Sequence, residues 1–305
     1  MKTDRRTPST IAVVINPGAG GVTLENIGVI EARLKDVLGT RLQSITYLNE
    51  ANPHALDRAF ATKPDAVVVV GGDGTARAAA MLACETGIPV APLPGGTLNI
   101  FPKRAFGTKT LVEAIESLAT AETGFVPCGR ADGQIFLVAI AIGGLVKVAA
   151  LREAARQGSF FRRIRSVLRY LAARATTRRV AYRVNGGEWR LAHALVGAIG
   201  RVEDAFGLPD AGSQRKPGEM DFAAVEFRDW GHIAGVMAAA LTGTWKGQPD
   251  IHTSGAETVE LRTRRKPRPI PALLDGELLT LSSHVTITYD TAGIPILMPI
   301  HKNGL

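Results

Sequence analysis

The chain has 305 residues, 46% of them hydrophobic and 21% charged, which is against global disorder and enough to bury a sizeable core. That length is about twice a typical domain, so two domains are expected. Cys84 and Cys128 cannot form a disulfide framework or a four-ligand zinc site by themselves, which fits a reducing compartment. The net charge is +8, and nine arginines between Arg152 and Arg179, set against the single acid Glu153, carry that whole excess. Such a stretch is either a solvated helical face or a patch that seeks a polyanion: nucleic acid, nucleotide phosphate or an anionic lipid surface.

In chain order, the polar Met1–Thr10 is followed by an apolar run of only five residues, Ile11–Ile15, too short for a secretory signal. The longest apolar stretch, Ile135–Val146, has 12 residues where a membrane span needs about 20, so no transmembrane helix is expected. Ile11–Ile15 and Val67–Val70 read as strands buried on both faces, with Gln43–Tyr47 and Val90–Pro92 as weaker strands. Helical patterns cover Leu24–Leu38, Pro53–Ala61, Thr75–Thr86 and Thr110–Ala121. This alternation predicts an α/β domain over residues 10–124, a Rossmann-like three-layer arrangement on a parallel sheet.

After Gly124 hairpin signals recur: Ala131-Asp132-Gly133 before Ile135–Ile142, Asn185-Gly186-Gly187 after Val180–Val184, and Asp275-Gly276. Ala194–Ile199, Phe222–Phe227, Thr258–Leu261, Leu278–Leu281 and Val285–Tyr289 are further strands. Residues 125–300 are therefore expected to form a mainly antiparallel β-sandwich. A basic amphipathic helix at 150–175 and an apolar one around Trp230–Leu241 interrupt it. Arg264-Arg265-Lys266-Pro267-Arg268-Pro269 reads as a basic, proline-broken linker.

Three glycine-rich loops follow three of the first-half strands: Asn16-Pro17-Gly18-Ala19-Gly20-Gly21, Gly71-Gly72-Asp73-Gly74-Thr75, and Pro94-Gly95-Gly96-Thr97-Leu98-Asn99. Glycines let the backbone approach a phosphate and crowd several N–H groups into one concavity, helped by the helix N-terminus that follows. Asp73 has two readings, a cap on its own helix or a carboxylate facing phosphate through Mg²⁺. Neither a Gly-x-x-x-x-Gly-Lys-Ser/Thr loop nor a His-Arg-Asp catalytic loop is present.

Taken with Asn16-Pro17 upstream and Gly96-Thr97-Leu98-Asn99 downstream, Gly71-Gly72-Asp73-Gly74-Thr75 resembles the diacylglycerol kinase catalytic-domain family, which includes bacterial lipid kinases and the sphingosine and ceramide kinases. Asp275-Gly276-Glu277 resembles that family's C-terminal Asp-Gly-Glu motif, and the likeness runs over about residues 10–290. The resemblance implies an ATP-binding α/β domain, a β-sandwich domain and catalysis in the cleft between them, with ATP and Mg²⁺ as cofactors. It implies that Asn16, Gly71, Gly72, Gly74, Thr75, Gly96, Thr97 and Asn99 serve the nucleotide. Asp73 would stand near Mg²⁺, and Glu277 would be the general base with Asp275 beside it.

The chain departs from the pattern at three places. Arg77 and Ala78 stand where many members have Asn and Glu, Ile100 replaces an acid, and Pro217 replaces the first Asp of the segment Pro217-Gly218-Glu219-Met220-Asp221, so a structural Mg²⁺ site is not expected there. In this context Arg162, Arg163, Arg165 and Arg169, interleaved with apolar residues, read as a membrane-docking face. No zinc-finger spacing or ribonucleoprotein motif supports a nucleic-acid partner.

The expectation is a cytoplasmic ATP-dependent lipid kinase, peripheral on the inner face of the membrane, acting on diacylglycerol or a ceramide or sphingoid lipid; a homodimer is open to it. The alternatives are an NAD kinase-like phosphotransferase with a soluble acceptor, or a catalytically weak lipid- or nucleotide-binding protein.

Overall fold

A computed structural model describes residues 6–299 apart from 24, 98, 108–109, 144–178, 207, 213–214, 227–234, 236–238, 240–241 and 264–265. The expected helix at 150–175, the four docking arginines and nearly all of the helix expected around Trp230–Leu241 lie outside the described residues. Among the described residues no helix is long and apolar enough to cross a membrane.

The chain divides into two compact units. One runs to Pro127 and takes back the C-terminal segment from Thr291; the other is Cys128–Asp290. The first unit thus extends three residues past the expected boundary at 124/125, and the last strand, expected in the second, ends beside the sheet of the first. The elements of the first unit are β1 (Ile11–Ile15), α1 (Ile27–Leu38), β2 (Leu42–Tyr47), α2 (Ala55–Ala61), β3 (Ala66–Gly71), α3 (Asp73–Thr86), β4 (Val90–Pro94), α4 (Ile100–Phe106), α5 (Leu111–Ser117) and the start of β5 (Ala121–Ala131).

β1, β3 and β4 are buried at every residue, as their unbroken apolar runs require of strands covered on both faces. They pair in parallel with β2 in the order β2-β1-β3-β4. α1 packs with α5, and α2 packs with α3. α5 starts at a capping box in which Thr110 and Glu113 satisfy each other's backbone N–H groups at 3.2 Å. It stops at Ser117 rather than running to Ala121, and residues 118–120 tighten into a 3₁₀ turn before β5.

The second unit contains the rest of β5, β6 (Gln134–Phe136), β7 (Ala139–Gly143), β8 (Val180–Val184), β9 (Arg190–Ala192), β10 (Ala194–Ala198), α6 (Val202–Phe206), β11 (Met220–Val225), β12 (Ile251–Ala256), β13 (Thr258–Thr263), β14 (Ile270–Leu274), β15 (Glu277–Leu281) and the first part of β16 (His284–Pro299). Six strands form an antiparallel sheet in the order β12-β11-β10-β7-β14-β15. β16, β13, β8 and β9 pair antiparallel in the facing layer. Between the layers lie Phe136, Ile140, Ile142, Tyr182, Phe222, Val259, Leu261, Leu274 and Ile287. Ala139 and Ala141, alternating with Ile140 and Ile142 on β7, join a second core with Val196, Trp245 and Ile251. The central strands β7, β10 and β11 are therefore covered on both faces, while the edge strand β15 is largely exposed. The expected single strand Ile135–Ile142 is two strands, broken at Leu137 and Val138.

Two histidines of this unit titrate low. Burial is the main cause for His193, with Arg179 adding to it and Glu226 opposing; for His252 burial acts first and Arg190 second. Both stay neutral in the folded chain at a pH where the unfolded imidazole, with its ordinary value of 6.5, takes up a proton. Their contribution is therefore complete above that value and is lost as pH falls through it. The melting temperature should fall between pH 7.5 and 5.0, and the fall should shrink in a His193→Gln, His252→Gln double variant. An equal fall in that variant would remove the histidines as its cause. The Asp65 carboxyl, held low first by the Ser9 hydroxyl and then by the Thr10 backbone, acts in a separate, more acidic window.

Candidate functional site

In the parallel sheet the chain leaves β1 toward β2 on one side and β3 toward β4 on the other. Loops from neighbouring strands diverge at such a switch point and open a crevice at the carboxyl edge. The three glycine-rich loops all emerge at that edge and are tied to one another. Asn16 donates from Nδ2 to Thr75 Oγ1 at 2.8 Å, while its Oδ1 accepts from Gly18 N at 2.9 Å. Gly21 N donates to the Gly95 carbonyl at 2.8 Å, and Gly95 N donates to the Gly71 carbonyl at 2.8 Å.

Between the second and third loops there is no room for a side chain. A Cβ on Gly96 would stand 2.5 Å from the Gly72 Cα, and one on Gly95 would stand 2.8 Å from the Gly71 nitrogen. Asn99, at φ 52° and buried, closes the third loop on itself: Oδ1 accepts from Gly96 N and Nδ2 donates to Gly96 O, both at 2.7 Å.

These contacts sort the expected nucleotide residues by what they do in the fold. Asn16, Gly71, Gly96 and Asn99 hold the loops together. Gly74 and Thr97 are exposed, and Gly72, Asp73 and Thr75 are partly so. Gly21 and Gly95 join the builders; their part was hidden because the pairing bridges residues far apart in sequence.

α3 has Gly72 as its N-cap and no side chain capping it. Its first-turn N–H groups lack helical acceptors, which suits the phosphates of a nucleotide. Asp73 does not cap its own helix. Its Oδ1 accepts from Phe101 N at 3.1 Å, at the start of α4. The carboxylate thus pins the third loop and α4 to the second loop, and the cap reading is corrected. Arg77, one turn along α3 in place of the family's Asn, is buried to 5% exposure and engaged.

In the second unit Asp275-Gly276 joins β14 to β15, with φ 50° and 94° at the two turn residues and Leu274 opposite Glu277. Both central residues of a two-residue hairpin at positive φ is the turn form that matches strand twist. The Asp275 carboxylate accepts three backbone N–H bonds, from Leu137 at 2.6 Å, Val138 at 2.8 Å and Ala139 at 3.0 Å. Asp275 N in turn donates to the Ala139 carbonyl at 3.0 Å. The break between β6 and β7 is where those donors come from. Asp275 therefore anchors the turn, and the adjoining Glu277 is exposed on a hairpin held from both sides.

The Pro217–Asp221 segment leads into β11. Asp221, 1% exposed, accepts from Val202 N at 3.0 Å and faces the Lys246 ammonium at 3.1 Å, with Glu203 on the same ammonium at 2.9 Å. Among the described residues no three His, Cys, Asp or Glu side chains gather in a group that could hold a metal ion. Arg162, Arg163, Arg165 and Arg169 lie outside the described residues.

The loop contacts make a direct prediction about stability. Gly96→Ala should destabilise the chain by about 1–3 kcal/mol, the usual cost of overpacking. Gly28→Ala on α1, where an added Cβ meets nothing within 4 Å, should be neutral or stabilise by up to about 1 kcal/mol. Urea denaturation of both variants checks it; equal stabilities would contradict the close approach.

The family model of the diacylglycerol kinase catalytic domain matches residues 10–133. No curated protein matches the chain. Three solved structures from Bacillus anthracis str. Sterne share the fold along the chain. One, described as a diacylglycerol kinase, is 19% identical with TM-score 0.65 and 99% of each chain covered. Two are described as candidate diacylglycerol kinases. The first is 21% identical with TM-score 0.69 and 99% of each chain covered, and the second is 22% identical with TM-score 0.66, covering 98% of this chain and 100% of that one. At these identities the structures speak for the fold alone. The family model covers residues 10–133, the part that carries the tied loops, and that part of the chain is similar to the diacylglycerol kinase catalytic domain.

Proposed function

We propose that this kinase-type phosphotransferase uses ATP to phosphorylate a lipid hydroxyl, diacylglycerol or a ceramide-type lipid, at an anionic membrane surface. The observation that carries the reading is the uncapped N-terminus of α3 standing at the edge where three mutually tied loops meet. ATP, when bound with Mg²⁺, supplies the γ-phosphoryl group and part of the charge neutralisation that phosphoryl transfer needs. Gly72, Gly74, Thr75 and Thr97 would hold the phosphates through backbone N–H and hydroxyl groups. The Asp73 carboxylate would hold the metal while keeping its bond to Phe101 N. In this reading Glu277 takes the proton of the lipid hydroxyl, and Asp275 keeps the hairpin that carries it from moving. Arg162, Arg163, Arg165 and Arg169 would supply the docking charge on the cytoplasmic face.

The test is turnover of labelled ATP with a panel of lipids in vesicles and with soluble acceptors, product identified by separation. Glu277→Gln should lower kcat by about two to four decades, the range for a lost general base, with KM for ATP little changed and unfolding unaltered. Asp275→Asn should lose stability and turnover together, since it removes an acceptor from a site with three donors. Asp73→Ala should abolish turnover. Near-normal kcat in Glu277→Gln would move the base elsewhere, and turnover confined to soluble acceptors would replace the lipid reading.

A further inference from the structure

The layer of the second unit formed by β16, β13, β8 and β9 turns Val259, Leu261, Val285 and Ile287 inward. Strand alternation puts Glu260 and Arg262 on its other face, with Arg183 of β8 opposite Glu260 and His284 of β16 opposite Arg262. Arg183 forms a bidentate pair with Glu260, Nε to Oε1 at 2.7 Å and Nη2 to Oε2 at 2.8 Å. That pair holds the Glu260 carboxyl low, chiefly through the Arg183 hydrogen bonds, and occupies the one acid at the spot among the described residues.

Trp189, half-buried just before β9, takes two guanidiniums against its ring. Arg262 is 3.9 Å and Arg183 5.0 Å from the centroid. Arg262, itself exposed, has no carboxylate partner among the described residues and rests its guanidinium carbon over the indole. A guanidinium stacked on an aromatic ring can still offer parallel N–H donors to two oxygens of one anion.

The same side chains line an open surface hollow of about 480 Å³, completed by Thr263, Pro267, Ser283 and His284. The exposed cations Lys266 and Arg268 flank the lining Pro267. A packing role for Trp189 explains one stacked arginine. It does not explain two beside a hollow whose only acid among the described residues, Glu260, is already paired.

We propose that this hollow is a second ligand site, separate from the glycine-loop edge, which binds a phosphoryl anion with Arg262 as its principal donor. The anion is either free phosphate or the phosphate of a lipid headgroup. The site stands on the geometry of the second unit alone and does not depend on the kinase reading.

The test is binding by the full chain at low salt in two arms: equilibrium dialysis with labelled inorganic phosphate, and flotation with phosphatidylcholine vesicles with and without phosphatidylglycerol. Arg262→Gln should weaken binding about tenfold in at least one arm, the scale of one lost charge-assisted contact. Loss with phosphate alone identifies a soluble ligand, and loss with phosphatidylglycerol vesicles alone identifies a headgroup; either supports the site. Arg58→Gln, which removes an exposed charge on α2 in the other unit, should change neither arm by more than about twofold. Trp189→Leu frees the guanidinium without removing its charge and should weaken binding in the same direction; it serves if Arg262→Gln fails to fold. The proposal is overturned if wild type binds in neither arm, if both site variants bind like wild type, or if Arg58→Gln loses as much as Arg262→Gln.

Discussion

The backbone at Gly72 and Gly96 comes so close that a Cβ on Gly96 would stand 2.5 Å from the neighbouring Cα. Two loops that follow adjacent strands can meet this way only because position 96 is glycine; a Cβ on Gly72 would stand at an ordinary 3.5 Å from the Gly96 Cα. Their meeting lets Gly95 N reach the Gly71 carbonyl and Gly21 N reach the Gly95 carbonyl. With the backbone locked there, Asn16 reaches Thr75 and Asp73 reaches α4. The first-turn donors of α3 are thus fixed at the edge of the sheet before any ligand arrives. Preorganised donors of this kind stabilise charge without the cost of reorganisation at the moment of reaction. The glycines serve the fold, and in the proposed function they serve the chemistry through it.

A second long-range constraint organises the other unit. Asp275 accepts three backbone N–H groups from residues about 137 positions earlier, at the point where one apolar run is cut into β6 and β7. Backbone donors buried at such a break need an acceptor, and a carboxylate at positive φ in a tight turn supplies both oxygens. The same bonds orient the hairpin that ends in Glu277. The two acids of the Asp-Gly-Glu turn therefore divide their work: one is spent on structure, and the other is left on the exposed side of the hairpin.

Much of this was legible in the sequence. The β-branched runs Ile11–Ile15 and Val67–Val70 announced buried parallel strands, and the Asp-Gly and Asn-Gly turns announced the hairpins, because both signals are local. β5 was not legible: Gly124, Pro127 and Gly129 interrupt its pattern, and Gly129 is there to admit the ring of Phe136. The break after Phe136 was hidden because its cause, Asp275, is remote in sequence. The return of β16 to the first unit, through Gly293 at φ 56° to a parallel pairing of Ile296 with Val90, lay beyond a strand expected to end at Tyr289. Among the site residues, the motif positions were found by type, but which of them face outward was not. Asp73, read as a cap for its own helix or a metal-side carboxylate, turned out to hold α4.

The central claim is that the tied loops form one preorganised phosphate edge. Hydrogen exchange of backbone amides, with and without an ATP analogue and Mg²⁺, tests it most directly. The account predicts slowed exchange at the first turn of α3 and in the loops at 16–21 and 95–99, all three responding together at one ligand concentration. Protection confined to one loop, or found only outside these three segments, would contradict it.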